Sequence, residues 1–424
     1  MPISRGSIRH SLLEDGINLI SSFLRPGRLF SQASPALRAE VTSAVTRRMS
    51  ATHATLFPFA RTGFYATLKA LDLPAGSHIL MTPFTIGPML EIIHALGYRP
   101  IFVDIELDTF GPDLEQLSMK LADRPACFLL TYLFGYVPDV ERIVRMCRDS
   151  NTVLVEDFSH NIGAVCNGRS VGTFGSVGIY SASLLKYVDG YNGAFVLTND
   201  SRIASSLDNT AGELHPPTRQ RLASIIHRTF IWNFALSRIT FNLFTYPALW
   251  LLKRLHPAFF DKLLGPSIPL QLDSPLPRYY FEDIARFQCE AILRHMSKLD
   301  ATLEARRTSA KQAMDSYHRV TAKRTPVPPD HISPYRWGEP TFWQFVVPVN
   351  DLTASRDQLF RAGVETGTTN LRDLAAATGV NLSNARKLKE NHVFIPLHRH
   401  LREPDYLKIF NILGAADQIK LAHT

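Results

Sequence analysis

The chain holds 424 residues, enough for two to three domains of about 150 residues each and for a large buried core. Hydrophobic side chains make up 45% and charged ones 20%, a globular balance that excludes fibrous and disordered proteins. Forty-six basic against 38 acidic side chains leave a formal charge of +8; this favours anionic partners without separating nucleic acid, membrane surface and phosphorylated substrate.

At the amino terminus, Glu14 and Asp15 interrupt the apolar stretch that a signal peptide needs. Leu13, Ile17, Ile20 and Leu24 recur in steps of four, three and four, which predicts an amphipathic helix whose apolar row packs onto the protein body. Residues 1–50 thus read as a helical extension.

Residues 51–213 alternate apolar strands with helical patterns. Strands are predicted at Ser77–Thr82, Arg99–Ile105, Ala126–Leu133, Thr152–Glu156, Val177–Ser181 and Ala194–Thr198, and helices at Gly63–Leu71, Pro88–Leu96, Asp113–Leu121 and Asp139–Arg148. This rhythm predicts an α/β domain with a mainly parallel sheet and helices on both faces. Ligands bind such sheets beyond the carboxyl ends of the strands.

Residues 214–275 form a basic, aromatic-rich insertion. No acidic residue occurs from Leu214 to Phe260, while Arg219, Arg221, Arg228, Arg238, Lys253 and Arg254 are basic. Asn233, Arg238, Asn242 and Pro247 break the apolar run, so it falls short of the roughly 20 apolar residues of a bilayer span. Two readings stay open: a buried insertion or subunit contact, and an interfacial patch over 219–255 in which aromatics enter the headgroup region and arginines meet anionic lipid. Residues 276–424 read as one or two long helices (Tyr280–Tyr317), a Pro-rich linker (Thr325–Pro340), and a small α+β unit with a strand at Phe342–Val349, a helix at Ala354–Ala362 and a last segment from Val393. Cys127, Cys147, Cys166 and Cys289 form no CxxC pair, which argues against a disulfide scaffold or four-cysteine zinc site and favours the reducing cytoplasm.

Chemistry concentrates in two places. The strand Thr152–Glu156 runs into Glu156–Asp157–Phe158–Ser159–His160, and about thirty residues on, Lys186 follows Ser181–Ala182–Ser183 and precedes Gly190–Tyr191–Asn192–Gly193. On spacing alone, an acid and a lysine beyond neighbouring strand ends are an ion pair or a nucleophilic site.

Several pieces in order resemble the DegT/DnrJ/EryC1/StrS family of pyridoxal-phosphate (PLP) enzymes, which aminate keto sugars attached to nucleotides. They are Arg61–Thr62–Gly63, Arg99–Pro100–Ile101–Phe102–Val103–Asp104–Ile105, Phe134–Gly135 with Pro138–Asp139, Val155–Glu156–Asp157, Gly172–Thr173–Phe174–Gly175, Lys186, and Gly193–Ala194 through Thr198–Asn199–Asp200. The resemblance implies a fold type I PLP-transferase: a large domain, a smaller C-terminal α+β domain, and a homodimer. It implies that Lys186 binds PLP and moves the proton, and that Asp157 faces the ring nitrogen. Thr62 and Gly63 are implied to offer backbone N–H groups to the phosphate at a helix start, where Ser181 adds a hydroxyl.

Three departures stand out. His160 occupies the slot where the family usually has glutamine, and Ile86, after Thr85, stands where it prefers an aromatic stacked on the ring. Before Gln288, Phe281 and Asp283 replace an Asn-x-Arg element that family dimers lend across the subunit boundary; Arg278 is the candidate substitute. His398 reads equally as a packing residue or a substrate contact. The implied reaction is amino transfer from glutamate or glutamine to a nucleotide-linked keto sugar. Two alternatives are an acceptor that is lipid-linked or hydrophobic at a membrane surface, and a non-catalytic protein of this fold with a binding or regulatory role. Retention of both Asp157 and Lys186 argues against the last. No DNA- or RNA-binding motif organises the positive charge.

Overall fold

The computed structural model describes all residues except 265–269, 273, 323–334, 367–370 and 416–424. The predicted linker Thr325–Pro340 therefore lies largely outside the described residues.

The centre is a seven-stranded sheet of β1 (His53–Phe57), β2 (His78–Met81), β3 (Arg99–Phe102), β4 (Cys127–Thr131), β5 (Val153–Asp157), β6 (Val177–Ser181) and β7 (Ala194–Thr198), in the order β1-β7-β6-β5-β4-β2-β3. β2, β3, β4, β5 and β6 run parallel, while β7 and β1 add antiparallel to one side. β4 is buried at every residue (Cys127, Phe128, Leu129, Leu130, Thr131), as a strand covered on both faces must be. Phe128, Leu130, Tyr180 and Phe195 look into one core layer, whereas Leu129, Val155, Ile179 and Val196 look into the other. This alternation carries Asp157 and its neighbours to a common edge.

Helices cover both faces. An amino-terminal pair, α1 (Leu12–Leu24) and α2 (Pro35–Met49), precedes β1; α3 (Ala60–Leu71), α4 (Gly87–Ala95), α5 (Leu114–Ala122), α6 (Val140–Asp149) and α7 (Ser201–Gly212) accompany the strands. Gly63 serves this packing: a Cβ there would meet Val196 Cγ2 at 2.6 Å, so the missing side chain lets α3 press on the sheet. Its N–H donates to the Phe59 carbonyl (3.1 Å). The bare Cα of Gly63 thus faces β7, and its amide closes the first turn of α3.

The insertion folds as α8 (Arg219–Leu236), a π-helical turn at Phe241–Thr245, α9 (Tyr246–Leu255) and α10 (Pro257–Leu264). The stretch 280–317, expected to form one or two long helices, forms two, α11 (Arg286–Met296) and α12 (Leu299–Thr321). The C-terminal unit pairs β8 (Phe345–Pro348) antiparallel with β9 (His392–Ile395) and packs them with α12, α13 (Leu352–Arg361) and α14 (Glu403–Ala415) around Tyr317, Phe345 and Phe410. The chain start joins this unit: Ile3 N–H donates to the Gly363 carbonyl and Arg5 pairs with Glu365 at 2.6 Å.

α1 overturns its expected orientation. Leu13, Ile17, Ile20 and Leu24 are 75%, 55%, 58% and 75% exposed. The polar side faces the protein instead: Asp15 is fully buried and accepts from the Tyr191 hydroxyl and from Asn233 Nδ2 at 2.6 Å, while Asn18 donates to Tyr191 Oη at 3.0 Å. A buried polar trio at Asp15, Tyr191 and Asn233 fixes which face turns inward, because each member would lose its hydrogen bonds if the helix rotated.

Candidate active site

β5 ends at Asp157, between Thr131 at the end of β4 and Ile179 of β6 in register. Asp157 Oδ1 accepts from both the N–H and the hydroxyl of Ser159, and Ser159 Oγ in turn accepts from the Ser181 N–H at 3.0 Å. Asp157 Oδ2 has no hydrogen bond among the described residues. Burial raises the Asp157 carboxyl above its ordinary value, against the Ser159 hydrogen bonds and the charge of Lys186. Neighbouring Glu156 points to the other face, where the Tyr132 hydroxyl and the N–H groups of Gly172 and Gly175 hold it, so it has a structural task.

Lys186 is presented by a constrained turn after β6. Leu185 has φ +73°, a left-handed backbone that costs a leucine about 1–2 kcal/mol, and its N–H donates to Asp189 Oδ2 at 3.1 Å. The Lys186 N–H donates to the Ser183 carbonyl, and buried Tyr187 anchors the far side by donating to the Thr341 carbonyl at 2.7 Å. Burial pushes the Lys186 ammonium down to about 7, against the pull of Asp157. The lysine is therefore substantially neutral at physiological pH, with some of its surface still open. Mutual electrostatic influence places the lysine and the aspartate in one site.

His160 completes the group. Its Nδ1 accepts from the Phe134 N–H at 3.2 Å, which leaves the ring proton on Nε2. Burial and the nearby Lys186 hold it well below its ordinary pKa, hence neutral. Trp343 lies flat on it (centroids 3.8 Å apart, planes at 8°), and Lys186 Nζ sits 4.5 Å from the same indole centroid. Sequence reasoning missed Trp343. Trp343 comes from the segment before β8 and adds an aromatic surface beside Lys186, while Ile86 caps α4 and packs on the core. The run Thr341–Phe342–Trp343 was the available signal.

The other expected residues divide. Ser181 donates to Ser183 Oγ at 3.1 Å, at the same strand end as Asp157. Thr82, Thr85 and Thr131 are buried and their hydroxyls find no hydrogen-bond partner among the described residues, at the carboxyl edge of the sheet. Thr62 is buried and its hydroxyl donates to the Tyr280 carbonyl at 2.6 Å. Arg278 is exposed at the start of a 3₁₀ turn, and no described contact ties it to Lys186 or Asp157. Asp283 and Phe281 are structural: the first accepts from Gln32 and Arg38, and the second packs on Tyr65. His398 is buried against the Ser4 carbonyl (3.2 Å), and burial plus Arg306 depress it to about 3. That is the packing role of the two expected.

A second group missed from sequence flanks Tyr187. The Arg9 and Arg306 guanidinium carbons each lie 5.5 Å from the Tyr187 ring centroid. Burial and repulsion from Arg306 lower Arg9 to about 10, and its Nε is enclosed without a partner. Neither arginine pairs with a carboxylate among the described residues.

The DegT/DnrJ/EryC1/StrS aminotransferase family model matches residues 40–217, the stretch that carries Asp157, His160 and Lys186. This stretch is similar to that family. The chain is 30% identical over 141 residues to a pleiotropic regulatory protein of Geobacillus stearothermophilus, covering 33% of this chain and 38% of that protein. It is 26% identical over 151 residues to a GDP-perosamine synthase of Escherichia coli O157:H7, covering 36% and 42%. The chain thus matches less than half the length of these curated relatives. Solved structures extend the likeness over the whole fold. An aminotransferase from Psychrobacter cryohalolentis superposes with a TM-score of 0.72 at 16% identity, covering 98% of both chains. An E. coli GDP-4-keto-6-deoxy-D-mannose-3-dehydratase with bound hydrated PLP reaches 0.71 at 17%, covering 97% and 99%. The architecture is the α/β fold that these solved structures share.

Proposed function

We propose that this DegT/DnrJ/EryC1/StrS-type chain is a PLP-dependent aminotransferase that moves the amino group of glutamate or glutamine onto the keto carbon of a phosphate-bearing sugar. The feature that carries the reading is the pairing of Lys186, its ammonium pushed down to about 7, with buried Asp157 at the carboxyl ends of parallel strands. The residues suit PLP: Asp157 keeps one oxygen free of hydrogen bonds, and the orphaned Thr82, Thr85 and Thr131 hydroxyls lie at the same edge. When bound, PLP supplies an electron sink for the carbon that loses its proton.

Each protein group then has a task. Asp157 offers negative charge to the ring nitrogen, and Ser159 orients it. Lys186 anchors the cofactor and, as a neutral amine, takes and returns the proton. His160, neutral with its proton on Nε2, donates a hydrogen bond without adding charge, and Trp343 limits water at the lysine. In the net exchange the donor's C–NH₂ becomes C=O and the acceptor's C=O becomes CH–NH₂, so oxygen and nitrogen trade places without an outside oxidant. Arg9 and Arg306, like-charged and without carboxylate partners, suit the anionic group of the acceptor.

Purified protein mixed with PLP should retain it through gel filtration with the visible absorbance of the protein-bound cofactor, and Lys186→Ala should lose both. A wild-type chain that retains no PLP sinks the proposal. Arg306→Ala should raise the acceptor KM about tenfold with little change in kcat, with partial recovery in Arg306→Lys. An unchanged KM removes the arginines from acceptor binding.

A further inference from the structure

The outward apolar row of α1 does not stand alone. α8 runs beside α1: Phe23 stacks on His227 with ring centroids 5.3 Å apart, and Ser22 lies 3.5 Å from the same imidazole. α8 buries Leu222, Ile225 and Ile226 but leaves Ile231 and Trp232 exposed, and the π-helical turn and α9 continue with Phe244 (66% exposed) and Trp250 (43%). Exposed apolar surface on this scale marks an interaction site. Arg219, Arg228 and Arg254 are exposed on the same elements, Arg238 is exposed on the short helix between α8 and the π-helical turn, and the sequence from Leu214 to Phe260 contains no acid. A groove of about 470 Å³ along α8, lined among others by Gln220, His227, Arg228 and Trp232, is polar at one end and apolar at the other.

We propose that the surface made by α1, α8, the π-helical turn and α9 docks onto an anionic phospholipid bilayer, with its apolar side chains in the acyl boundary and its arginines among the phosphates. Exposed tryptophans beside exposed arginines are the composition of an interfacial element. Among the described residues no helix is long and apolar enough to cross a membrane, so the contact is with one surface. Charge decides against a second copy of the chain as occupant. A two-fold interface apposes a patch to itself, which here would set arginines against arginines with no acid from that stretch to answer them. Lipid phosphates supply the missing countercharge. The inference rests on this surface alone and is independent of the chemistry at Lys186.

Flotation of the full chain with phosphatidylcholine vesicles doped with phosphatidylglycerol tests it, against vesicles of phosphatidylcholine alone. Binding should be about tenfold tighter to the doped vesicles and should weaken with added salt. An Ile17→Gln/Ile20→Gln/Phe244→Gln variant, which alters only outward side chains, should lose binding about tenfold while keeping its circular dichroism and PLP absorbance. Arg228→Glu/Arg254→Glu should lose the preference for doped vesicles. Two outcomes overturn the proposal: a folded wild-type chain that does not float with anionic vesicles, or a glutamine variant that floats as well as wild type. If the glutamine variant changes the mass measured by light scattering without changing flotation, the surface joins two copies instead.

Discussion

Two regions of this molecule treat polarity in opposite ways. Around Lys186, polar groups are drawn inside and their charges suppressed: burial lowers the lysine and His160, and raises Asp157. Along α1 and α8, polar groups are also drawn inside, but the apolar side chains are left in the open. At the first region the low-dielectric surroundings prepare chemistry, since a neutral amine is a base and a buried carboxylate seeks a cationic partner. At the second, the protein leaves nine large apolar side chains of α1 and α8 in the open, a sacrifice that calls for another apolar phase to cover them.

The sharpest way to break this contrast is to show that Lys186 is ordinary. With its pKa lowered from 10.5 to about 7, it is charged below pH 7 and neutral above. Labelling of the cofactor-free protein by an amine-selective reagent, read at Lys186 by mass spectrometry, should have its midpoint near 7 and fall about tenfold per pH unit below it. A midpoint near 10.5 means that water reaches the lysine freely and that the site does not prepare it as a base.

Much of the first region was legible in sequence because consecutive β-α units place strand ends by rule. Val177–Ser181 and Ala194–Thr198 land residue for residue as expected, and Asp157 and Lys186 come together as their spacing after β5 and β6 implies. What escaped lacks such a rule. β1 mixes His53 and Thr55 into its five residues and pairs antiparallel, so no buried-strand run announced it. Trp343 reaches Lys186 from the segment before β8, and Arg9 and Arg306 reach Tyr187 from the chain start and α12, contacts that only tertiary folding makes. α1 shows a further limit: periodicity reveals that a helix has two faces but not which one the protein wants. The row Leu13, Ile17, Ile20 and Leu24 was expected to face the protein, and the partners that instead draw Asp15 inside, Tyr191 and Asn233, are remote in sequence.

That reversal leads to the smaller contrast, within α1 itself. Asp15 is fully buried and accepts from two buried donors, the Tyr191 hydroxyl and Asn233 Nδ2, so Asp15→Ala strands both without replacement. The expected loss is about 2–3 kcal/mol, read as a lower urea midpoint. Two positions on, Ile17 faces outward, and Ile17→Gln should change stability by less than about 0.5 kcal/mol, although hydrophobicity alone ranks the two substitutions the other way round. If Ile17→Gln costs as much as Asp15→Ala, the apolar row is covered in solution. Repeating the melt at several protein concentrations then identifies the cover: a midpoint that rises with concentration assigns it to a second copy of the chain, and an invariant one to a contact within the same chain.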